Sequence, residues 1–284
     1  MLMRLGAAAV ERVVQAALLE DAPHGDVTSQ VLLAASAQMT AELVAREAGV
    51  LSGEDVFSAA MRLTDAAIET KFLRRDGERF EAGDVLAEVQ GPAQGVLQAE
   101  RVALNFVQRL SGIATMTARY VAEVVGTKAR IVDTRKTTPG LRELERYAVR
   151  CGGGHNHRFS LSDAFMAKDN HLAMLSGDEL TQALLAARAA LPHTTHMEVE
   201  VDRADQIEAV LAAGVDTILL DNFSTAELKA GVAQVAGRAL VEASGGITLE
   251  RVGEIATTGV DVISVGALTQ SVRCLDMGLD VRRG

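Results

Sequence analysis

The segment HMEVEVDRADQIEAVLAAGVDTILLDN, residues 196–222, decides the fold. It opens on a strand-length apolar run that carries two carboxylates. Residues 203–213 then place apolar side chains at helical spacing, and Gly214 stands where a helix C-cap is expected. A second apolar run, Asp216 to Asp221, follows directly. Strand, helix and strand joined in this way predict parallel pairing, because only a crossover of this length returns the chain in the same direction.

The unit recurs. Strand-like runs stand at Arg130–Thr134, Ala164–Lys168, His196–Val201, Asp216–Asp221, Ala239–Ser244 and Asp261–Gly266. Helix-like segments at 178–190, 203–213, 225–236 and 248–258 alternate with them, and Gly259 repeats the placement of Gly214. The pattern predicts a (β/α) barrel or an open α/β sheet. Upstream the rhythm differs. Residues 1–20 read as an amphipathic helix, and Asp26 or Thr28 is a plausible cap in a turn-rich stretch. Between 38 and 98 short alternating runs predict a small β-rich module, with an Asp76-Gly77 turn between strand-like arms. Residues 98–124 predict one long helix or two in succession.

Each later run ends in polar or glycine residues: Arg135 and Lys136, Lys168, Glu200, Asp221, Ser244-Gly245-Gly246, and Gly266. In a barrel these ends share one face, where active sites are built. A single member reads as a loop charge or turn glycine; six coincident ends do not. Ser244-Gly245-Gly246 and Val265-Gly266-Ala267 follow the last two strands, where glycine lets backbone N–H groups approach a phosphate. Glu200 and Asp221 suit either Mg²⁺ or ribose hydroxyls, with solvent exposure or helix capping by Asp221-Asn222 as the alternative. Gly152–Gly154 lacks the Lys-Ser/Thr of a P-loop and reads as a hinge beside His157 and Arg158. His155 and His157 have no third ligand at diagnostic zinc spacing.

Charge is unevenly placed. The 284-residue chain carries a net charge of −10, yet residues 128–168 hold nine Lys/Arg against four Asp/Glu. A basic island in an acidic chain predicts a small, multiply anionic ligand. Aromatics are only 3% and Trp is absent, which argues against a base-stacking nucleic-acid surface. No run reaches the ~18 apolar residues of a membrane span, and Glu11 and Arg12 interrupt the N-terminal apolar patch. Cys151 and Cys274 form no CxxC pair, and a cytoplasmic location is the expectation.

The stretches EDAPHGDVTS, ERVALNFVQRLSGIAT, DTRKTTPGLRELERYAVRCGGGHNHR, AKDNH, EVEVD, LLDN, SGGI and VGALT run in order over nearly the whole chain. Together they closely resemble the quinolinate phosphoribosyltransferase family. The resemblance implies an N-terminal α/β sandwich domain over 1–112, completed by the tail 270–284, and an incomplete (open) α/β barrel over 113–269. It implies a glycosyltransferase of pyridine nucleotide (NAD) biosynthesis. Quinolinate and 5-phosphoribosyl 1-pyrophosphate would give nicotinate mononucleotide, CO₂ and pyrophosphate, with Mg²⁺. By the same resemblance Arg101, Arg135, Lys136, His157, Arg158 and Lys168 surround quinolinate, and Thr134 is a further substrate-binding residue. Glu200 and Asp221 serve the ribose and the metal, directly or through water. Ser244, Gly245, Gly246, Val265, Gly266 and Ala267 hold phosphate. Lys136, Lys168, Glu200 and Asp221 are the implied catalytic groups, and a homodimer is implied in which Arg101 completes the neighbour's site. His155 and Phe159-Ser160 depart from the family's usual residues without touching these positions.

Rival readings differ in testable ways. A transport-associated paralogue of the same fold tends to lose TRKTTPG, NHR and KDNH, which this chain keeps. A non-decarboxylating nicotinate enzyme needs fewer cations. A Schiff-base enzyme at Lys168 predicts borohydride trapping, and a non-enzymatic binding protein has no use for Glu200 and Asp221.

Overall fold

The computed structural model describes residues 5–175 and 177–282. They form two compact units. One comprises the chain up to 118 with 137–153 and 268 onward; the other comprises 119–136 with 154–267. In chain order the strands are β1 (Gln38–Ala45), β2 (Gly49–Val50), β3 (Glu69–Phe72), β4 (Arg79–Phe80), β5 (Val85–Pro92), β6 (Arg130–Val132), β7 (Phe165–Ala167), β8 (Met197–Val201), β9 (Thr217–Asp221), β10 (Leu240–Ser244), β11 (Val262–Ser264) and β12 (Met277–Val281).

In the second unit six strands form one parallel sheet in the order β6-β11-β10-β9-β8-β7. Among the described residues no ladder joins β6 to β7, so the barrel is open. Helices Gly177–Ala190, Ile207–Ala212, Thr225–Val235 and Leu249–Ala256 are the crossovers, and a 3₁₀ turn at Ala204–Gln206 precedes the second. Covering by helices explains why every residue of β8 is buried: a parallel strand has no solvent face. Local chemistry fixes the boundaries. Gly214 and Gly259 adopt φ +68° and +92°, the left-handed conformation of a helix exit. Ser224 and Glu227 cap the helix Thr225–Val235 reciprocally, the Ser224 N–H donating to Glu227 Oε2 at 2.8 Å. That assigns the capping role to Ser224 and frees Asp221 for the site.

In the first unit an antiparallel sheet runs β12-β1-β5-β3. The tail strand β12 pairs with β1, Leu43 opposite Leu279. Ala41, Leu43 and Ala45 alternate inward, and helix Glu54–Thr64 buries Val56, Phe57 and Met61. Phe57 meets Phe72 edge to face, ring centroids 5.7 Å apart. The segment expected as one or two helices over 98–124 is a single helix, Ala93–Glu123. The N-terminal helix is Ala7–Asp21, and residues 1–4 of its expected span lie outside the described residues.

Asp76-Gly77 is a turn, with Gly77 at φ +90°, but its arms do not pair with each other. β3 joins β5, whereas β4 joins β2. The turn is fixed instead by its aspartate. Asp76 Oδ1 accepts the N–H groups of Gly53 (2.8 Å) and Glu54 (3.2 Å) at a helix N-terminus, and Oδ2 accepts the Tyr147 hydroxyl at 2.9 Å. Gly152 is a packed glycine: a Cβ there would stand 2.3 Å from the Ala114 carbonyl oxygen. Close approach, rather than hinge freedom, accounts for glycine at this position. The fully buried Glu145 receives Arg109 at 2.6 Å and the Thr138 N–H at 3.1 Å, tying the TTPG loop to the long helix. Among the described residues no helix is long and apolar enough to cross a membrane.

Candidate active site

Register alone gathers the site. Parallel pairing sets Met166 beside Glu198, Glu200 beside Leu219, Leu219 beside Glu242 and Asp221 beside Ser244. With period-two alternation this puts Met166, Lys168, Glu198, Glu200, Leu219, Asp221, Glu242, Ser244 and Ser264 on one face of the sheet. All but Glu198 line a single cavity of about 550 Å³. Thr134, Arg135 and Lys136 from the end of β6, His157, Arg158, Asn222, Gly245 and Gly246 complete it.

The wall is built of opposed charges. Lys168 Nζ is ion-paired with Glu200 Oε2, the lysine side chain 41% exposed and the glutamate 11%. Asp221 is pushed above its ordinary pKa by burial, against the attraction of Lys168 and Lys136. Arg158 is pushed below its ordinary range by burial and by the Arg135 guanidinium near it. Two guanidinium groups held in one cavity repel, and an anion between them removes that cost.

The Asn156-His157-Arg158 stretch runs alongside β6. His155 pairs there through its backbone, its N–H donating to Ile131 O at 2.8 Å. Asp133, fully buried, accepts the His157 N–H at 2.8 Å and Asn156 Nδ2 at 2.5 Å. His157 Nε2 lies 3.0 Å from Glu198 Oε2 and 3.6 Å from Glu242 Oε1, and its Nδ1 accepts the Arg158 N–H at 2.8 Å. Arg158 Nη1 donates to Ala164 O at 3.1 Å, which aims the guanidinium. Burial and the neighbouring Glu198 carboxylate raise Glu242 to about 7.

On the opposite wall Asn222 adopts φ +59° and its Nδ2 donates to Asp221 at 2.7 Å. Gly245 lies flat on it at φ +89°; a Cβ at 245 would come within 2.1 Å of Asn222 Oδ1. Gly246 at φ +60° has open space above it. Backbone this bare at a strand end suits a phosphate group.

The sequence-predicted residues Thr134, Arg135, Lys136, His157, Arg158, Lys168, Glu200, Asp221, Ser244, Gly245 and Gly246 all line the cavity. Val265, Gly266 and Ala267 do not. Val265 is buried, and its N–H donates to Val132 O at 3.0 Å, while the preceding Ser264 lines the cavity. Arg101 is exposed on the helix Ala93–Glu123 and belongs to the other unit. Sequence reasoning missed Glu198, Glu242, Ser264 and Asp133. The signal was present as alternation: Glu198 and Glu200, and Glu242 and Ser244, stand two apart in strands that are otherwise apolar.

Comparison with known proteins agrees over the whole length. Residues 26–111 match the family model described as "Quinolinate phosphoribosyl transferase, N-terminal domain", and residues 113–280 match its C-terminal counterpart. The chain is 46% identical over 279 residues to the nicotinate-nucleotide pyrophosphorylase [carboxylating] of Mycobacterium leprae, covering 96% of this chain and 97% of that one. It is 43% identical over 263 residues to a probable nicotinate-nucleotide pyrophosphorylase [carboxylating] of Bacillus subtilis, covering 93% and 90%. The solved structure of NadC from Streptococcus pyogenes superposes with a TM-score of 0.93 at 40% identity, covering 99% of this chain and 100% of that one.

Proposed function

The chain belongs to the quinolinate phosphoribosyltransferase family, and from that premise we propose how its cavity performs the family's chemistry. The reaction transfers phosphoribosyl from 5-phosphoribosyl 1-pyrophosphate to quinolinate with loss of CO₂, giving nicotinate mononucleotide for NAD biosynthesis. The observation that carries the assignment is the crowding of Arg135, Lys136, Arg158 and Lys168 around one cavity. Quinolinate is a dianion, and its co-substrate is more highly charged still. Bringing them together without fixed cations is strongly repulsive.

Arg135, Arg158, Lys136 and Lys168 hold the two carboxylates and orient the ring nitrogen toward the sugar. Ser244, Gly245 and Gly246 receive the phosphorylated sugar. Bond making at C1 uses the pyridine nitrogen's lone pair, while the C1–O bond breaks and its electrons leave with pyrophosphate. The alkylated nitrogen is then the electron sink for loss of the adjacent carboxylate as CO₂. The electron pair left on the ring carbon takes a proton, for which Lys136 and Lys168 in the cavity wall are the candidate donors. No protein nucleophile is required.

The donor set suits Mg²⁺. Glu200 and Asp221 offer carboxylate oxygens on neighbouring strands, and Mg²⁺ is commonly held by one or two carboxylates together with substrate phosphates and water. When bound, the ion supplies charge neutralisation to the departing pyrophosphate. Arg101, exposed on its helix, serves a second copy of the chain in a homodimer, adding a cation to the partner cavity. The enzyme works in the cytoplasm.

Carboxyl-labelled quinolinate tests the reading. Purified protein with Mg²⁺ releases labelled CO₂ only when 5-phosphoribosyl 1-pyrophosphate is present; absence of release, or release without the sugar, contradicts it. Sedimentation equilibrium, with complementation between Arg101→Ala and Lys168→Ala chains, tests the shared site.

A further inference from the structure

Both ring nitrogens of His157 are already engaged by the protein. The Arg158 N–H points at Nδ1 from 2.8 Å, so Nδ1 acts as an acceptor and has no place for a proton of its own. Nε2 faces Glu198 Oε2 at 3.0 Å and Glu242 Oε1 at 3.6 Å, so the ring proton belongs on Nε2. Beneath the ring Glu198 is 4% exposed and Glu242 3%, and each has an Oε1 that accepts no hydrogen bond.

We propose that His157 and Glu242 are positioning residues: the imidazole stays neutral with its proton on Nε2 and serves by fixing the backbone of Arg158, while Glu242 stands beneath it as a neutral acid. The proposal rests on the quinolinate reading of the cavity and refines it. His157 shapes the floor under the ring, and the dianion is held by Arg158 and its neighbouring cations rather than by an imidazolium.

The charge count supports this. Two adjacent carboxylates in the interior of a barrel do not both ionise easily, because each loses its water and repels the other. The groups facing the cluster of His157, Glu198 and Glu242 are Asp133, Arg158, Lys168 and Ser264. Burial depresses the pKa of His157, while Glu198, Glu242 and Asp133 raise it, with a net upward direction. A proton drawn to the cluster has two conceivable homes, Nδ1 and Glu242. The Arg158 N–H closes the first. The second is open, since burial and the neighbouring Glu198 carboxylate both push Glu242 upward, toward its neutral form. The Nε2–H of the neutral ring is then directed at Glu198 Oε2. The anchoring is mechanical: Asp133 grips the backbone N–H of His157, Glu198 grips the ring, and the ring grips the N–H of Arg158.

Nitrogen-15 spectra of histidine-labelled protein at neutral pH test the tautomer, with His157→Gln used to assign the signal. The expected pattern is one pyridine-type nitrogen at Nδ1 and one pyrrole-type nitrogen at Nε2. Two pyrrole-type nitrogens, or the reverse tautomer, would overturn the proposal. This readout needs no substrate, so it is separate from a failure to release CO₂, which would strike the functional reading instead. Kinetics give a second arm. Glu242→Ala raises the KM for quinolinate roughly tenfold or more with kcat changed much less, because it opens a void beneath the His157 ring. Glu242→Gln, a neutral amide in place of a neutral acid, restores most of that loss. A Glu242→Gln enzyme as impaired as Glu242→Ala would show that a carboxylate charge is needed and would overturn the proposal.

Discussion

Replacing Lys168 with Met removes a cation and also uncovers an anion, and the two effects are separable. Lys168 Nζ is paired with Glu200 Oε2 in the substrate-free protein. A charge-assisted hydrogen bond to a quinolinate carboxylate is worth about 1.5–3 kcal/mol. Once the lysine is gone, Glu200 faces the ligand as a bare carboxylate. One unit charge about 5 Å away at an effective dielectric of ~20 costs about 3 kcal/mol. Because the Lys168 side chain is 41% exposed, solvent screens this, and about half is retained. Lys168→Met therefore weakens quinolinate binding by about 3–4.5 kcal/mol, on the order of a hundred- to a thousandfold. Adding Glu200→Gln to that variant removes the repulsion and recovers about tenfold. Isothermal titration with quinolinate alone measures both steps without the second substrate. A double variant no better than Lys168→Met would refute the reasoning, since Glu200 would then exert no field on the ligand.

Three further outcomes follow from the same geometry. Asp76 is raised to about 6 by burial, so its contribution to stability is full below the unfolded carboxylate range and is lost as pH rises through 6. Asp76→Asn keeps the acceptor for the Gly53 and Glu54 N–H groups, and urea midpoints at pH 4 and 7.5 should show a smaller pH dependence than the parent by about 2–3 kcal/mol. Gly245→Ala puts a methyl group 2.1 Å from Asn222 Oδ1 at φ +89°; it should raise the KM for the pyrophosphoryl sugar at least tenfold while a thermal melt changes by only a few degrees. Glu145→Gln leaves the Arg109 guanidinium without its buried carboxylate and should destabilise the protein by about 3 kcal/mol in a denaturant titration.

The six parallel strands were legible because their apolar runs, capping glycines and turn residues agree locally. Gly214 and Gly259 both mark helix exits, and each is followed at once by a strand. The strand-end charges were legible for the same reason: Lys168, Glu200 and Asp221 each close an apolar run. Pairing partners were not. Asp76-Gly77 has the composition of a hairpin, yet β3 and β4 join different sheets, because turn chemistry specifies a reversal and not the neighbour it delivers. Glu198 and Glu242 stay hidden in the sequence, because a carboxylate inside an apolar run reads as an edge residue until register shows that it points inward. Val265 shows where alternation stops: β11 ends at Ser264, and the next side chain turns into the core instead of extending the cavity face.

The measurement that bears most directly on the central claim is a crystal structure of the protein soaked with quinolinate. The account predicts the ring in the 550 Å³ cavity, its two carboxylates on Arg135, Arg158, Lys136 and Lys168, and its nitrogen facing Ser244–Gly246. Quinolinate bound elsewhere, or bound there with its carboxylates turned toward Glu200 and Asp221, would contradict it.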